Sequence, residues 1–317
     1  MAKHVEKITL GIDVAKDTCV VHSWETTDTL DVPNQPEAID AYLQAFTGPV
    51  RIALEPTSHY HRSWVERALA RGFEVYLVNP RQLCHYREAV NQRNKTDPAD
   101  AWLLARFLKH EARQLRPYKP QDAQAESLWS LLKRRAKVVD TRKQLQQSFR
   151  DIQLSAQALF TQFKHLLARI DLRIHRAIQA LGWNEDYQRC LSIPGIGPLN
   201  AAALVAAYHR GAFANSDAFV AFIGMDVRVR ESGGYKGKRK LTKRGEAEIR
   251  RLLYCATQAA CCYPLFQAYY LKQIDKGLPK ISAKVVLARK LARIAFSLMQ
   301  NQTLFVKTQE KTLACSP

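Results

Sequence analysis

Hydrophobic positions follow a strand period early in the chain and a helical period later, and the change of period divides it. Ile8-Thr9-Leu10-Gly11-Ile12-Asp13 is a short β-type run ending on a carboxylate, and Thr18-Cys19-Val20-Val21-His22-Ser23-Trp24 reads as its hairpin partner. Pro36 to Phe46 has helical spacing, and Val50 to Leu54 is a second buried strand that stops at Glu55-Pro56. His61 to Arg71 reads as a helix halted by Gly72, Glu74 to Val78 as a strand closed by Asn79-Pro80, and Pro98 to Lys109 as a strong helix. Strands separated by helices of this length predict an α/β sheet with parallel members over residues 1–110.

From about 111 to 185 the strand signals vanish. Leu128, Leu131, Leu132, Val138 and Val139, then Leu145, Phe149, Ile152, Leu159, Phe163, Leu166, Leu167 and Ile170, recur at helical spacing. Seven basic residues against one acid lie between 133 and 150. The pattern predicts a long helical hairpin or coiled-coil arm. One face packs, and the basic face either lies along phosphates, meets a partner subunit or is simply solvated. Residues 186–300 read as a second, mostly α-helical domain, with Pro194, Gly195, Gly197 and Pro198 at its start and Gly233, Gly234 and Gly237 breaking its middle. Arg250 to Cys262 and Ser282 to Met299 are helical again, and 301–317 reads as a loosely ordered tail.

Composition narrows the functional classes. With 47% hydrophobic and 24% charged residues, the 317-residue chain is globular rather than disordered, and 13 Gly and 13 Pro exclude a collagen-like or low-complexity chain. Lys and Arg number 48 against 29 Asp and Glu, a net charge of +19 that argues for a polyanionic partner, most simply nucleic acid, with an anionic membrane surface as the other candidate. No run of 18 apolar residues offers a membrane span, and Met1 to Glu6 lacks the basic start and apolar core of a signal peptide. Cys19, Cys84, Cys190, Cys255, Cys261, Cys262 and Cys315 are dispersed without a CxxC pair. They read as reduced thiols of a cytosolic protein, each a small buried hydrophobe.

Four carboxylates carry the candidate chemistry. Asp13 and Glu55 sit where predicted strands end, the place where open α/β sheets bind ligands. Asp97 and Asp100, in Asn94-Lys95-Thr96-Asp97-Pro98-Ala99-Asp100, are three apart at the start of a helix and share a face. A cluster of hard oxygen donors suits Mg²⁺, and a pair of such ions stabilises the attacking and leaving oxygens of a phosphodiester exchange. Helix capping accounts for the same pair on its own, with Asp97 as N-cap, Pro98 at the first helical position and Asp100 near a capping box.

A second cluster is basic. From 228 to 244 there are eight basic residues and one acid, in Arg228-Val229-Arg230-Glu231-Ser232-Gly233-Gly234-Tyr235-Lys236-Gly237-Lys238-Arg239-Lys240 and on through Lys243 and Arg244. Glycines such as Gly233 let the backbone approach a phosphate, the cations hold it, and Tyr235 is the best candidate for stacking on a base. Ser232 is either a turn residue or a nucleophile, and no histidine lies near it in sequence to activate it. Ile193-Pro194-Gly195-Ile196-Gly197-Pro198 resembles the hairpin of a helix-hairpin-helix element, whose turn amides around Gly195 and Gly197 hold a phosphate without reading sequence.

The blocks Gly11-Ile12-Asp13-Val14-Ala15-Lys16, Leu54-Glu55-Pro56-Thr57-Ser58-His59-Tyr60, Val78-Asn79-Pro80 and Arg93-Asn94-Lys95-Thr96-Asp97-Pro98-Ala99-Asp100-Ala101 resemble, in order, the signature of insertion-sequence-110 family transposases, relatives of the Piv/MooV-type DNA invertases. Glu55 is followed by Pro-Thr-Ser where Ala-Thr-Gly is commoner, and Gly224-Met225-Asp226-Val227 replaces a usual Gly-Leu-x-Pro. The resemblance implies a RuvC-like, ribonuclease-H-fold α/β domain whose Asp13, Glu55, Asp97 and Asp100 bind Mg²⁺, and a C-terminal transposase domain in which Ser232 forms a phosphoserine link to DNA. It further implies a structured guide (bridge) RNA pairing with double-stranded donor and target DNA. Strand exchange between two DNA partners calls for a dimer assembling to a tetramer, and the expected location is cytoplasmic, in a bacterial nucleoid. Ser232 lies 132 residues beyond Asp100, so a site composed of acids from one subunit and the serine of another is expected. The rival readings are a structure-selective RuvC-like nuclease without serine chemistry and a non-catalytic nucleic-acid-binding protein. A sugar-kinase-like ATPase shares the Gly-x-Asp strand start but lacks a second glycine-rich phosphate loop.

Overall fold

The computed structural model describes residues 7–151, 155–229, 231–237 and 239–306, apart from the side chains of Tyr235 and Lys236. The chain separates into two units, Met1–Pro120 and Gln121–Pro317.

The first unit runs β1 (Ile8–Val14), β2 (Thr18–Ser23), β3 (Thr29–Pro33), α1 (Pro36–Gln44), β4 (Val50–Leu54), α2 (Arg62–Ala70), β5 (Glu74–Leu77), α3 (Pro80–Ala89) and α4 (Asp97–Glu111). Its sheet has the order β3-β2-β1-β4-β5, with β1, β2 and β3 antiparallel in succession and β4 and β5 parallel to β1. The strand period of two sorts the side chains by face. Leu10, Ile12, Val14, Ile52, Leu54 and Val75 join Ile39 and Leu43 of α1 and Trp64 of α2 in one core. Ala53 and Tyr76 face the other way, against Leu103, Leu104 and Phe107 of α4 and Leu83 of α3.

Helix α4 lies directly on β1, and Gly11 makes this possible. A Cβ at residue 11 would fall on the Ala101 carbonyl oxygen and the Ala105 amide, both backbone atoms of α4. Two elements escape the hydrophobic pattern. Strand β3 is an edge strand burying only Val32, and α3 is a polar helix burying only Leu83. Asn79-Pro80 opens α3 rather than merely closing β5: the Asn79 side chain accepts a hydrogen bond from the Arg81 amide at 2.9 Å, with Pro80 next in line.

The second unit contains α5 (Ala123–Ser148), α6 (Gln157–Ala180), α7 (Asn184–Leu191), α8 (Pro198–Tyr208), α9 (Ser216–Phe222), β6 (Val227–Arg228), β7 (Glu231–Ser232), β8 (Tyr235–Lys236), β9 (Lys240–Leu241), α10 (Ala247–Ala260), α11 (Pro264–Asp275) and α12 (Lys280–Asn301). Its centre is α8, buried from Asn200 through Ala207. A helix apolar on all sides belongs in a core, and the alanines of α8 let its neighbours approach closely. Leu253 of α10, Phe219 of α9 and Leu287 and Leu291 of α12 pack in the same cluster.

Helices α5 and α6 pack against each other. Leu128, Leu132, Ile170, Ile174 and Ile178 are sealed in the core of the second unit, whereas Leu159 and Leu166 are 43% and 42% exposed. Arg135 of α5 bridges to Asp171 of α6. Ile152 lies outside the described residues.

Two expectations need correction. The middle of the second unit is broken by two-stranded ribbons, β6–β9 and β7–β8, rather than by a bare loop. Among the described cysteines only Cys19 and Cys190 are buried. Cys84, Cys255 and Cys262 are exposed and Cys261 half-buried, because they fall on outward faces of helices or at helix ends, while Cys315 lies outside the described residues.

A methyl group at Gly11 must push α4 off the sheet, so Gly11→Ala is expected to destabilise the protein by about 3 kcal/mol or more. Gly48→Ala, whose Cβ would meet open space, serves as the control and should be nearly neutral. Urea unfolding of both variants checks this.

Candidate active site

The parallel register pairs Ile12 with Leu54, which puts Asp13 and Glu55 one step further on, side by side at the ends of β1 and β4. Residues 11, 13, 53 and 55 share a parity, and the face they occupy is the one α4 covers. The close approach at Gly11 then delivers the start of α4, with Asp97 and Asp100, to the same end of the sheet. Thr96, not Asp97, caps this helix: its hydroxyl accepts from the Ala99 amide at 3.4 Å. Both aspartates are therefore released from the capping role that would have explained them.

The electrostatics shows that the four acids share one neighbourhood. Asp13 is pushed up to about 6, chiefly by burial and then by Asp100, Asp97 and Glu55, with Lys95 pulling back. Glu55 is raised by burial and by Asp100, against the pull of Lys95 and Arg87. Arg87 of α3 is ion-paired with Asp100, both side chains largely buried. Its Nε is buried without a hydrogen-bond partner. Among the described residues no three His, Cys, Asp or Glu side chains stand in ligating position about one point. As a donor set the cluster still fits a hard divalent cation: four carboxylates, mutually repelling, with Lys95 and Arg87 as the nearby countercharges. Arg87 escaped the sequence reading because α3 itself did. The only signal was a basic residue in the stretch before the Asn94–Asp100 block.

Ser232 lies in the other unit. It pairs with Tyr235 across a two-residue turn of Gly233 and Gly234, and Gly233 takes φ +54°, as the tight turn requires. The hydroxyl is exposed, and among the described residues no hydrogen-bond partner holds it. In the neighbouring ribbon Arg228 pairs with Lys240, and Asp226 accepts a hydrogen bond from the Thr242 hydroxyl at its base. Arg239 comes within 4.0 Å of Glu231. Lys243 has φ +56° and leads into Arg244. Arg230 and Lys238 lie outside the described residues, as do the side chains of Tyr235 and Lys236. Gly195 has a packing reason of its own: at φ +90°, a Cβ there would stand 2.7 Å from that of Ala260. Gly197 is open and precedes Pro198 at the start of α8.

Charge is divided unevenly between the units. Met1–Pro120 holds 16 Lys and Arg against 15 Asp and Glu, and Gln121–Pro317 holds 32 against 14. The basic excess, +18 of the +19, is thus confined to the second unit.

An α/β unit with its acids gathered at one end of the sheet, followed by a strongly basic helical unit, is the build of a transposase. Residues 10–155 match the DEDD transposase domain, and residues 187–271 match the domain described as transposase, IS116/IS110/IS902 family. The chain belongs to the IS110 family of transposases. It is 24% identical to the pilin gene-inverting protein of Moraxella bovis over 96% of this chain and 99% of that one. It is also 24% identical to the transposase for insertion sequence element IS1111A of Coxiella burnetii, over 93% of this chain and 90% of the relative. A probable family 20 transposase of Pseudomonas aeruginosa is 33% identical over 44% of this chain and 43% of its own. No helix among the described residues is long and apolar enough to cross a membrane.

Because Asp13 is raised when folded, the folded chain binds its proton more tightly than the unfolded chain does. Its carboxylate therefore costs stability above about pH 6, and that cost disappears below about pH 4. Asp13→Asn should stabilise the metal-free protein at pH 8 by about 1 kcal/mol once solvent screening is allowed for. The gain should vanish at pH 4. Thermal melts in a chelating buffer read both.

Proposed function

We propose that the protein cuts and rejoins DNA strands, with a divalent cation, Mg²⁺, held by Asp13, Glu55, Asp97 and Asp100 and with Ser232 as the attacking nucleophile. The observation that carries this reading is the convergence of four acids from β1, the end of β4 and the start of α4 in a nearly neutral unit, while the second unit holds the basic excess. The sheet order, with three antiparallel strands followed by two parallel ones, supports a ribonuclease-H-like, RuvC-like assignment for the first unit. The arm of α5 and α6 is proposed to join subunits of a dimer that assembles to a tetramer. Donor and target double-stranded DNA are the proposed substrates, selected with the help of a structured guide RNA.

A bound divalent cation supplies Lewis-acid stabilisation of the charge that develops on the transferring phosphoryl group. The chain's own residues do the rest. Arg228, Lys240, Lys243 and Arg244 grip backbone phosphates beside the serine. The Ser232 Oγ–phosphorus bond forms as the bond from phosphorus to a deoxyribose oxygen breaks. The hydroxyl proton passes to a base, and the departing oxygen takes up a proton. Attack by a deoxyribose hydroxyl of the partner strand then reverses the exchange, rejoining DNA and freeing the serine. The glycine turn after Ser232 leaves room for a phosphate to approach.

A second reading, a RuvC-like nuclease that needs the acids alone, has one observation in its favour: no general base stands beside the exposed Ser232 hydroxyl among the described residues. Trapping the covalent protein–DNA adduct and mapping it by mass spectrometry decides. The adduct is expected on Ser232 and absent in Ser232→Ala. Asp97→Asn and Glu55→Gln are expected to cut recombination by ~100-fold or more. Full cleavage by Ser232→Ala would favour the nuclease, and full activity of Asp97→Asn would remove the acidic site from the reaction. Mixing Asp97→Asn protein with Ser232→Ala protein tests the shared site: recovered activity supports acids and serine from different subunits, and none removes that arrangement.

A further inference from the structure

Beside the serine hairpin, the β6–β9 ribbon and the first turns of α12 enclose a groove of about 910 Å³. Cations line it, Arg228, Arg239, Lys240 and Lys243 from the ribbon side and Arg289 from α12. Aliphatic side chains, Val229, Leu241, Leu278, Ile281 and Val285, line it as well. Ile281 is 68% exposed and Val229 50%, so part of this apolar lining is open to solvent. Among the described residues no acidic side chain lines it, although Glu231 stands 4.0 Å from Arg239. Arg289 is the telling member. Its Nε is buried without a hydrogen-bond partner, and burial together with neighbouring Arg293 disfavours its charge, against the pull of Asp217 and Asp226.

We infer that this groove binds a single-stranded segment of nucleic acid, with Arg289 and the ribbon cations on its phosphates and the exposed aliphatic side chains against its unpaired bases. Duplex DNA offers a protein its phosphates and sugars while its bases stay stacked inside, which would leave Ile281, Val229 and Leu278 facing water. An unpaired strand presents base faces and phosphates together, and a groove that sets cations beside exposed apolar side chains matches both. An apolar protein segment would cover the aliphatic lining but would also desolvate five cations that outnumber the carboxylates near them, Glu231, Asp217 and Asp226, which is costly. A strand-exchange reaction generates unpaired segments, so the inference rests on the nucleic-acid reading above and names a substrate class for the basic unit.

The test measures binding alone, in a chelating buffer, so that failure of the metal or serine chemistry leaves it unaffected. Fluorescence anisotropy of the full chain at near-physiological salt compares labelled oligo(dT), labelled oligo(U) and a duplex of mixed sequence, each about 15 nucleotides long. Ile281→Glu and Arg289→Gln are each expected to weaken single-strand binding roughly tenfold while changing duplex binding less than about threefold. Ile281→Leu should retain it. The dT and U arms distinguish a DNA from an RNA strand as the occupant. Equal losses on strand and duplex would overturn the proposal in favour of a general phosphate grip. Loss on neither would remove the groove as a site. A changed oligomeric mass for Ile281→Glu with unchanged strand affinity would reassign it to a protein contact. Ile281 is exposed, so its variants fold even where Arg289→Gln does not.

Discussion

The close approach of α4 to β1 is the constraint on which the acidic site depends. It exists because residue 11 has no side chain, so the backbone of Ala101 and Ala105 can lie where a Cβ would otherwise be. Ala53 on the neighbouring strand keeps the same face low. With larger residues at these two positions α4 would ride higher, and Asp97 and Asp100 would leave the neighbourhood of Asp13 and Glu55. The small residues in β1 and β4 and the acids that follow them are parts of one device: the first set the height of the helix, and the second use it.

That device works against its own stability. Asp13, Glu55 and Asp100 are half-buried and Asp97 is exposed, and burial of Asp13 together with the repulsion of the other three raises it. Two separately packed faces of the sheet, one against α1 and α2 and the other against α3 and α4, offset the cost. Arg87 offsets more of it by pairing with Asp100. Under the proposed metal binding, a divalent cation would contribute twice, once by ligation and once by relief of the repulsion already present. The near-neutrality of the first unit follows the same logic. A surface rich in lysine around the acids would quench them, so the cations that hold a polyanion are better placed in the other unit, where the +18 is found.

Much of this was legible in the residues. The strand at Val50–Leu54 appears with the predicted bounds, β1 extends the predicted run by one residue, and the parallel pairing follows from their separation by helices. What hid did so for physical reasons. Strand β3 is an exposed edge and α3 buries a single leucine, so neither carries a hydrophobic period. The helix cap was misassigned by one residue because Thr and Asp are equivalent caps by composition, and only backbone geometry separates Thr96 from Asp97. The ribbons around Ser232 are two residues per strand, too short for any period to register. The groove beside them joins residues some fifty positions apart, a distance across which pattern says nothing.

The hairpin under Ser232 bears on how the chemistry is controlled. A serine hydroxyl is a weak nucleophile until a base takes its proton, and on this hairpin none of the described groups does so. The same turn that exposes the oxygen withholds the means of activating it. Under the proposed serine chemistry the base comes from outside this hairpin, and attack waits on whatever brings that base to the hydroxyl. Such conditional reactivity would suit a covalent protein–DNA intermediate, because attack is then coupled to the presence of the partners that allow rejoining.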